Sequence, residues 1–387
     1  MSEIKVNSIK GVGASVAAIT VNNTDGTATA NITNNLSNRN KVINGGMIVK
    51  QRADLTMTTT STYSLDRFRG TVGSSFNWAS ATVTQSTTSP DGFGKSLKVD
   101  IASTNTPTGS QNAIIQTRIE GQDLQDLAYG TSSAKPCTLS FYVRSNKTGT
   151  YCVQIANTAN TKYVLFEYTI NSADTWERKS VTFAGNTANT INNDNALGFD
   201  INFHLATGSD DHVSATSTWT TYPSGSFLAT SNQVNLFDNA SNEWYLTGVQ
   251  LEVGSVATDF EHRSFGQELA LCQRYFFSVT GDNADYPGCY TGGMARGGHF
   301  FWMVHFPVAM RTNPTYTGVS GNGQGYGDGD SSVFANSTAI LEGSSTTPNP
   351  RGQGMRKTSA GGSMSNGNGY MYRFSGDTNV LQFSAEL

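Results

Sequence analysis

EWYLTGVQLEVGSVATDFEHRSFGQELALCQRYF, residues 243–276, holds both kinds of regular structure that the chain uses. It begins as an alternating strand, passes Gly254, and then changes period. Ser264 precedes Phe265, and Gln267 follows Ser264 by three positions, so SFGQ fits a capping box. Phe265, Leu269, Cys272 and Phe276 then recur at helical spacing, which predicts a connecting helix over 264–277, weakened in its first turn by Gly266. One short helix is marginal alone, so this stripe needs a neighbour to pack against.

Upstream, residues 41–263 read as strand after strand. VINGGMIVKQR leads into YSLDRFRG; then come FNWASATVTQ, SLKVDIAS, AIIQTRIEG, CTLSFYVRS, TYCVQIAN, YVLFEYTI, RKSVTFAG and LGFDINFHL. Leu139, Phe141 and Val143 alternate with Thr138 and Ser140, the pattern of a strand with one buried face. Gly, Asn, Ser and Pro clusters separate the runs, with no helical pattern between them. About ten short strands in succession predict an all-β fold, an antiparallel β-sandwich of jelly-roll type.

The bulk composition agrees. The 387 residues exceed what one core usually serves, so more than one domain is expected. Charged residues make up 14%, well below the average of roughly 25%, which leaves Thr, Ser and Asn to cover the surface. With 20 Phe and 15 Tyr the chain is not of the disordered class. A net charge of −4 offers no basic field for nucleic acid, and no apolar run is long enough to insert in a membrane. MSEIKVNSIKG lacks the apolar core of a signal peptide, which predicts synthesis and folding in a cytoplasm. Cys137, Cys152, Cys272 and Cys289 show no CxxC spacing and read as buried thiols. Cys137 and Cys152 flank a predicted hairpin, so a disulfide between them stays open.

Residues 1–40 contain no Phe, Tyr or Trp and cannot build a core, yet IKVNSIKG and VAAITV are strand-like. They read as an attachment segment that needs a partner, the alternative being a frayed tail. Residues 278–387 read as a second, smaller β-rich domain. Within it HFFWMVHF (299–306), with Trp302 near its centre, is apolar at nearly every position and is expected to be covered on both faces, by its own domain or another subunit. A long Gly/Ser/Asn-rich stretch precedes the final strands GYMYRFSG and NVLQFSAEL.

Catalytic and metal signatures are weak. SPDGFGKS (89–96) ends like a phosphate loop, but Ser89 stands where its first Gly belongs and a strand follows, so a hairpin turn is the better reading. GNGQGYGDGD (321–330) lacks the strand–helix context of a dinucleotide site. Asp328 and Asp330, or Asp210 and Asp211, read as solvated turn carboxylates; a structural Ca²⁺ stays open, and no other cofactor or metal is expected. The five His are scattered, and no GxSxG elbow or internal repeat is present, so no catalytic residue is assigned. Binding is the more plausible activity. Sugar recognition needs apolar faces beside amides and hydroxyls, and TSTWTTYPSGSF (216–227) offers Trp219 and Tyr222 in a polar loop. Tyr326, Tyr370 and Tyr372 stand among Asn and Ser near the C-terminal end. The ordinary alternative is that these rings pack loops onto the sandwich.

YLTGVQLEVGSVATDFEHRSFGQELALCQRYF closely resembles a segment of many bacteriophage tail fibre and receptor-binding proteins. There a "GVQLE-G--AT-FE-R" strand closes a carbohydrate-binding-module-like jelly roll, and a short "E---C-RYF" helix leads into a distal domain. NRNKVINGGMIVKQR, LSFYVRSNKTGTYCVQI with TWERKSVTFAG, and FPVAMRTNPTYT fit the same pattern, so the resemblance covers about residues 37–317. It implies a non-enzymatic virion protein of the tail, most often a homotrimer, made in the host cytoplasm. Residues 1–40 would join it to a phage tail protein, the jelly roll would form a shaft or knob, and residues 278–387 would meet a host-surface glycan or outer-membrane receptor. Phe265, Leu269, Cys272, Phe276 and Trp302 would then pack between domains or subunits. The alternatives are a purely structural virion component (head fibre, nozzle or adaptor) and, with less support, a polysaccharide depolymerase.

Overall fold

The computed structural model describes residues 37–57, 62–73, 80–157, 161–223, 227–280, 299–318, 350–358 and 380–387, with the strand segments 8–9, 19–21, 28–30, 289–296, 323–326, 332–334 and 369–374. Three short strands, β1–β3 (Ser8–Ile9, Ile19–Val21, Ala28–Ala30), pair antiparallel with one another. Strands β4–β16 then follow in chain order: β4 (Leu55–Met57), β5 (Thr62–Leu65), β6 (Phe68–Val72), β7 (Ser80–Ser86), β8 (Ser96–Ser103), β9 (Asn112–Glu120), β10 (Cys137–Ser145), β11 (Gly149–Asn157), β12 (Lys162–Ile170), β13 (Glu177–Phe183), β14 (Leu197–Thr207), β15 (Thr216–Thr221) and β16 (Glu243–Val253). They form a six-stranded sheet, β13-β10-β16-β8-β7-β4, and a seven-stranded sheet, β15-β12-β11-β14-β9-β6-β5. The predicted all-β jelly-roll sandwich is the fold observed.

Period-2 alternation explains why the two sheets stack. Leu139, Phe141 and Val143 of β10 point at Ile155, Tyr168, Ile201 and Phe203 of the opposing sheet, all within one buried cluster. Phe141 is the hinge of this core, edge-on to Phe203 at 5.0 Å and to Tyr168 at 5.1 Å.

Three local expectations are corrected. Cys137 and Cys152 do not flank a hairpin: β10 pairs with β13 and β16, while β11 pairs with β12 and β14. The link crosses between the sheets; within it Asn146 is tied to Ser241 and Glu243, and Gly149 takes a φ of 127° that side chains disfavour. Both thiols are buried and free, as is Cys272. VINGGMIVKQR is not a strand but a tight turn, with positive φ at Asn44 and Met47. A Cβ on Gly45 would sit 2.1 Å from the Val249 carbonyl oxygen, so the turn lies flat on β16. The outer face of β10 is also covered at Thr138 and Ser140, which are buried; the Thr138 hydroxyl donates to the Gly254 carbonyl at 2.8 Å.

Helix α1 (Phe265–Gln273) starts with the capping box read from SFGQ: the Ser264 Oγ accepts from the Gln267 N–H at 3.4 Å, and the Gln267 Oε1 accepts from the Ser264 N–H at 3.1 Å. Its inward face is centred elsewhere than the apolar stripe. Glu268 and Cys272 are buried, and Glu268 accepts from the Asn44 N–H at 2.5 Å. Leu269 is half-buried and Phe276 buried, but Phe265 is 58% exposed. A carboxylate satisfied by the residue 44 turn therefore sets the docking of α1, a signal that apolar spacing does not carry.

Beyond the helix come β17 (Phe276–Thr280), β18 (Cys289–Arg296), β19 (His299–His305), β20 (Thr315–Gly318), β21 (Gly323–Tyr326), β22 (Ser332–Phe334), β23 (Gly352–Thr358), β24 (Gly369–Phe374) and β25 (Val380–Ser384), in sheets ordered β17-β25-β20 and β22-β21-β24-β18-β19-β23. In this chain HFFWMVHF is not covered on both faces throughout: Met303 and His305 are exposed while Val304 is buried. The last residues return to the sandwich. Glu386 bridges Arg52 and Arg67, and Arg311 donates to the carbonyls of Ala385 and Glu386 at 2.7 and 2.8 Å.

Candidate functional site

Residues that face away from the core on the seven-stranded sheet fall into register across it. Tyr63 of β5 lies opposite Arg69 of β6, Arg69 opposite Gln116 of β9, Gln116 opposite Asn202 of β14, and Asn202 opposite Gln154 of β11. At about 4.8 Å between strands, the row from Tyr63 to Gln154 runs roughly 19 Å across the sheet. A parallel row beside it contains Arg118 opposite Asp200.

The row is joined by hydrogen bonds that run in one direction. The Arg69 Nε–H donates to the Gln116 Oε1; the Gln116 Nε2–H donates to the Asn202 Oδ1 at 2.6 Å; the Asn202 Nδ2–H donates to the Gln154 Oε1 at 3.0 Å; the Gln154 Nε2–H reaches the Tyr222 hydroxyl at 3.5 Å. Aligned bonds of this kind polarise one another, and they leave the Tyr222 O–H as the terminal donor. Gln116, Asn202 and Gln154 are fully buried and form the floor. Tyr63, Arg69, Arg118 and Tyr222 are partly exposed above it. Satisfied amides underneath fix where the open groups point, which is how a binding surface is preorganised.

The electrostatics are asymmetric. Arg118 Nε donates to the Asp200 carboxylate at 2.8 Å, and its Nη1 to the main-chain oxygen of Leu387 at 2.5 Å. Burial raises the Asp200 pKa, against the opposing pull of Arg118 and Arg69. Burial, and after it the like charge of Arg118, lowers the Arg69 pKa. Burial also raises the Tyr222 pKa, with Asp200 and Tyr163 adding to it, so this hydroxyl stays protonated and able to donate. One end of the face abuts Leu387, whose main-chain oxygen also accepts from the Tyr63 hydroxyl at 3.4 Å. The other end is walled by Leu228 and Ala229, packed on Cys152, Tyr163 and Leu165.

The sequence-derived site residues distribute unevenly. Tyr222 belongs to this face, its ring 5.1 Å from Tyr163. Trp219 does not. TSTWTT is an edge strand rather than a loop, and Trp219 turns to the core side, stacked on Phe199 at 5.4 Å with its Nε1–H donated to the Ala184 carbonyl. Tyr326, Tyr370, Tyr372 and Trp302 lie in strands, but their side chains fall outside the described ones. Asp210 and Asp211 belong to no group of three or more potential metal ligands among the described residues. Reading from sequence missed Arg69, Gln116, Arg118, Gln154, Asp200 and Asn202. Part of the signal was present: FDINFHL places polar residues at every second position of an otherwise apolar strand, whereas AIIQTRIE carries Gln116, Thr117 and Arg118 in succession.

A separate cleft of about 590 Å³ lies between residues 37–38, 261–263, α1 and 308–309. Its charged groups are already matched, with Arg263 bonded to Glu268 and Arg274 to Glu120.

No protein-family profile matches the chain, and neither does any curated protein sequence. Among solved structures, the sandwich is similar to a candidate sugar-binding protein of Bacteroides thetaiotaomicron (14% identity over 56% of this chain and 100% of that one, TM-score 0.33). It is also similar to the enzymatically active domain of tailspike protein 4 of bacteriophage CBA120 (13%, 56% of this chain but 21% of that one, TM-score 0.27). A family 11 carbohydrate-binding module of Clostridium thermocellum, bound to a β-1,3-1,4-mixed-linked tetrasaccharide, is matched at 11% identity (54% of this chain, 98% of that one, TM-score 0.27). Likenesses this remote carry no argument about what this chain binds.

Proposed function

We propose that the chain is a non-enzymatic bacteriophage tail fibre protein that recognises a host-surface glycan, and that the outer face of the seven-stranded sheet is a glycan-contacting surface. The observation that carries the binding reading is the cross-strand row of hydrogen-bonded amides from Gln116 to Gln154, with partly exposed arginine and tyrosine groups beside it. Fixed donors beside aromatic rings are what saccharide hydroxyls and ring faces require. The tail assignment is supported by the sequence segments that resemble phage receptor-binding proteins, above all residues 245–276. On this reading residues 1–40 attach to a tail protein, three copies associate, and the exposed Phe265 is covered in that assembly.

The test pairs two measurements. Purified protein is titrated against a panel of neutral and acidic bacterial-surface oligosaccharides, and adsorption of phage to host cells is competed with the same protein. Saturable glycan binding that Tyr222→Ala weakens at least tenfold, together with blocked adsorption, supports the reading. Adsorption that the protein never competes, with no glycan bound, leaves a structural virion component. Reducing ends released from host polysaccharide would make it a depolymerase instead.

A further inference from the structure

The arginines around the outer face differ in how their charge is met. Arg52 and Arg67 share Glu386, and Arg118 holds Asp200. Arg69 meets no carboxylate: among the described residues its one hydrogen-bond partner is the neutral Gln116 side chain. Asp200 and Glu386, the acids that act on Arg69 at longer range, are each already bonded to another arginine. Arg69 is also half-buried and lies within Coulombic reach of Arg118, which lowers its pKa after the larger effect of burial. A partly desolvated guanidinium beside a second one is a costly arrangement unless an anion completes it. Its Nε–H is fixed by Gln116, which leaves the terminal N–H groups for a planar acceptor.

We infer that Arg69 forms a subsite for the carboxylate of an acidic sugar, so that the face selects glycans bearing a uronic or ulosonic acid over neutral ones. This rests on the proposed glycan-binding role of the face and names its ligand class. The carboxylate would take the terminal N–H groups of Arg69 on the Tyr63 side of the row, while the neighbouring sugar units extend along the face toward the partly exposed Tyr222. A guanidinium fork matches a carboxylate in two parallel hydrogen bonds, a geometry that a neutral hydroxyl cannot reproduce.

The experiment compares galacturonate oligomers with the same oligomers methyl-esterified, and sialyllactose with lactose, by titration calorimetry on the full chain. A phosphorylated pair, mannose 6-phosphate and mannose, tells carboxylate from phosphate. The expected result is at least tenfold tighter binding of one carboxylate-bearing probe than of its neutral counterpart, weakening as salt is raised. Arg69→Gln should remove that preference, and Arg69→Lys should keep part of it; equal thermal midpoints for all three proteins show that the fold is intact. Equal binding of acidic and neutral sugars, a preference that survives Arg69→Gln, or binding of the phosphorylated sugar alone would each overturn the inference while leaving the glycan-binding role standing. If neither acidic nor neutral sugars bind, both readings fall together.

Discussion

His204 lies on β14, fully buried, with its Nδ1 3.1 Å from the Thr207 Oγ1 and no partner for Nε2 among the described residues. Burial lowers its pKa from 6.5 to about 3. An unfolded chain takes up the proton near pH 6.5, and the folded one resists it, so folding holds fewer protons across that window. Because the folded value is depressed, the neutral ring costs nothing above pH 6.5, and stability is lost as pH falls from there toward 3. Each unit of that fall is worth about 1.4 kcal/mol, so the penalty at pH 5 is about 2 kcal/mol. That is a large share of a typical folding free energy of about 5–15 kcal/mol. The buried acids Asp66 and Asp200 act in the opposite sense. Their pKa values are raised in the folded protein, mainly by burial, so they favour folding at low pH. The contribution of His204 is therefore read by difference. Urea unfolding of the wild type and of His204→Gln, followed by intrinsic fluorescence at pH 7.5 and 5.0, should show a wild-type loss larger by about 2 kcal/mol than that of the variant. Equal losses in the two proteins would refute the reasoning, because they would mean that the imidazole is protonated in the folded state.

Two further perturbations follow from the contacts of Glu386 and from the cap of α1. Glu386→Gln strips the carboxylate from Arg67, which is 1% exposed, and from Arg52, and it should lower the unfolding free energy by about 3–5 kcal/mol. In the folded protein burial alone would lower the Arg67 pKa, but the attraction of Glu386, helped by Tyr275 and Tyr63, raises it overall. A loss below about 1 kcal/mol in chemical denaturation would rank the bridge with exposed pairs. Ser264→Ala removes the capping side chain of α1 and should cost about 0.5–2 kcal/mol, with faster amide exchange confined to the first turn. Unchanged exchange there would mean that the Glu268 anchor alone holds the helix start.

Much of the fold was legible because its signals are local. Alternation in CTLSFYVRS marks Leu139, Phe141 and Val143 as one face, since successive side chains of a strand point to opposite sides. The spacing of Ser264 and Gln267 marks a helix start, since both capping bonds close within one turn. Less of the candidate site was legible. Tyr222 was identified by composition, and so was Trp219, but a ring in a polar stretch serves equally well as packing, and Trp219 packs against Phe199.

By itself, then, the sequence determined most of the sandwich strands, though not the turn at residues 42–50 or the edge strand β15, and with them where the helix begins and that the class is all-β. Each of these depends on residues within a few positions of one another. Only the tertiary structure decided that β10 and β11 belong to different sheets, that the residue 44 turn seats Glu268, and that Arg69, Gln116, Asn202, Gln154 and Tyr222 form one row. The successive partners in that row stand 47, 86, 48 and 68 positions apart along the chain. Period-2 patterning says which way a side chain points but not which strand lies beside it. That choice belongs to the packing of two whole sheets around Phe141 and Phe203, and the site exists only once it is made.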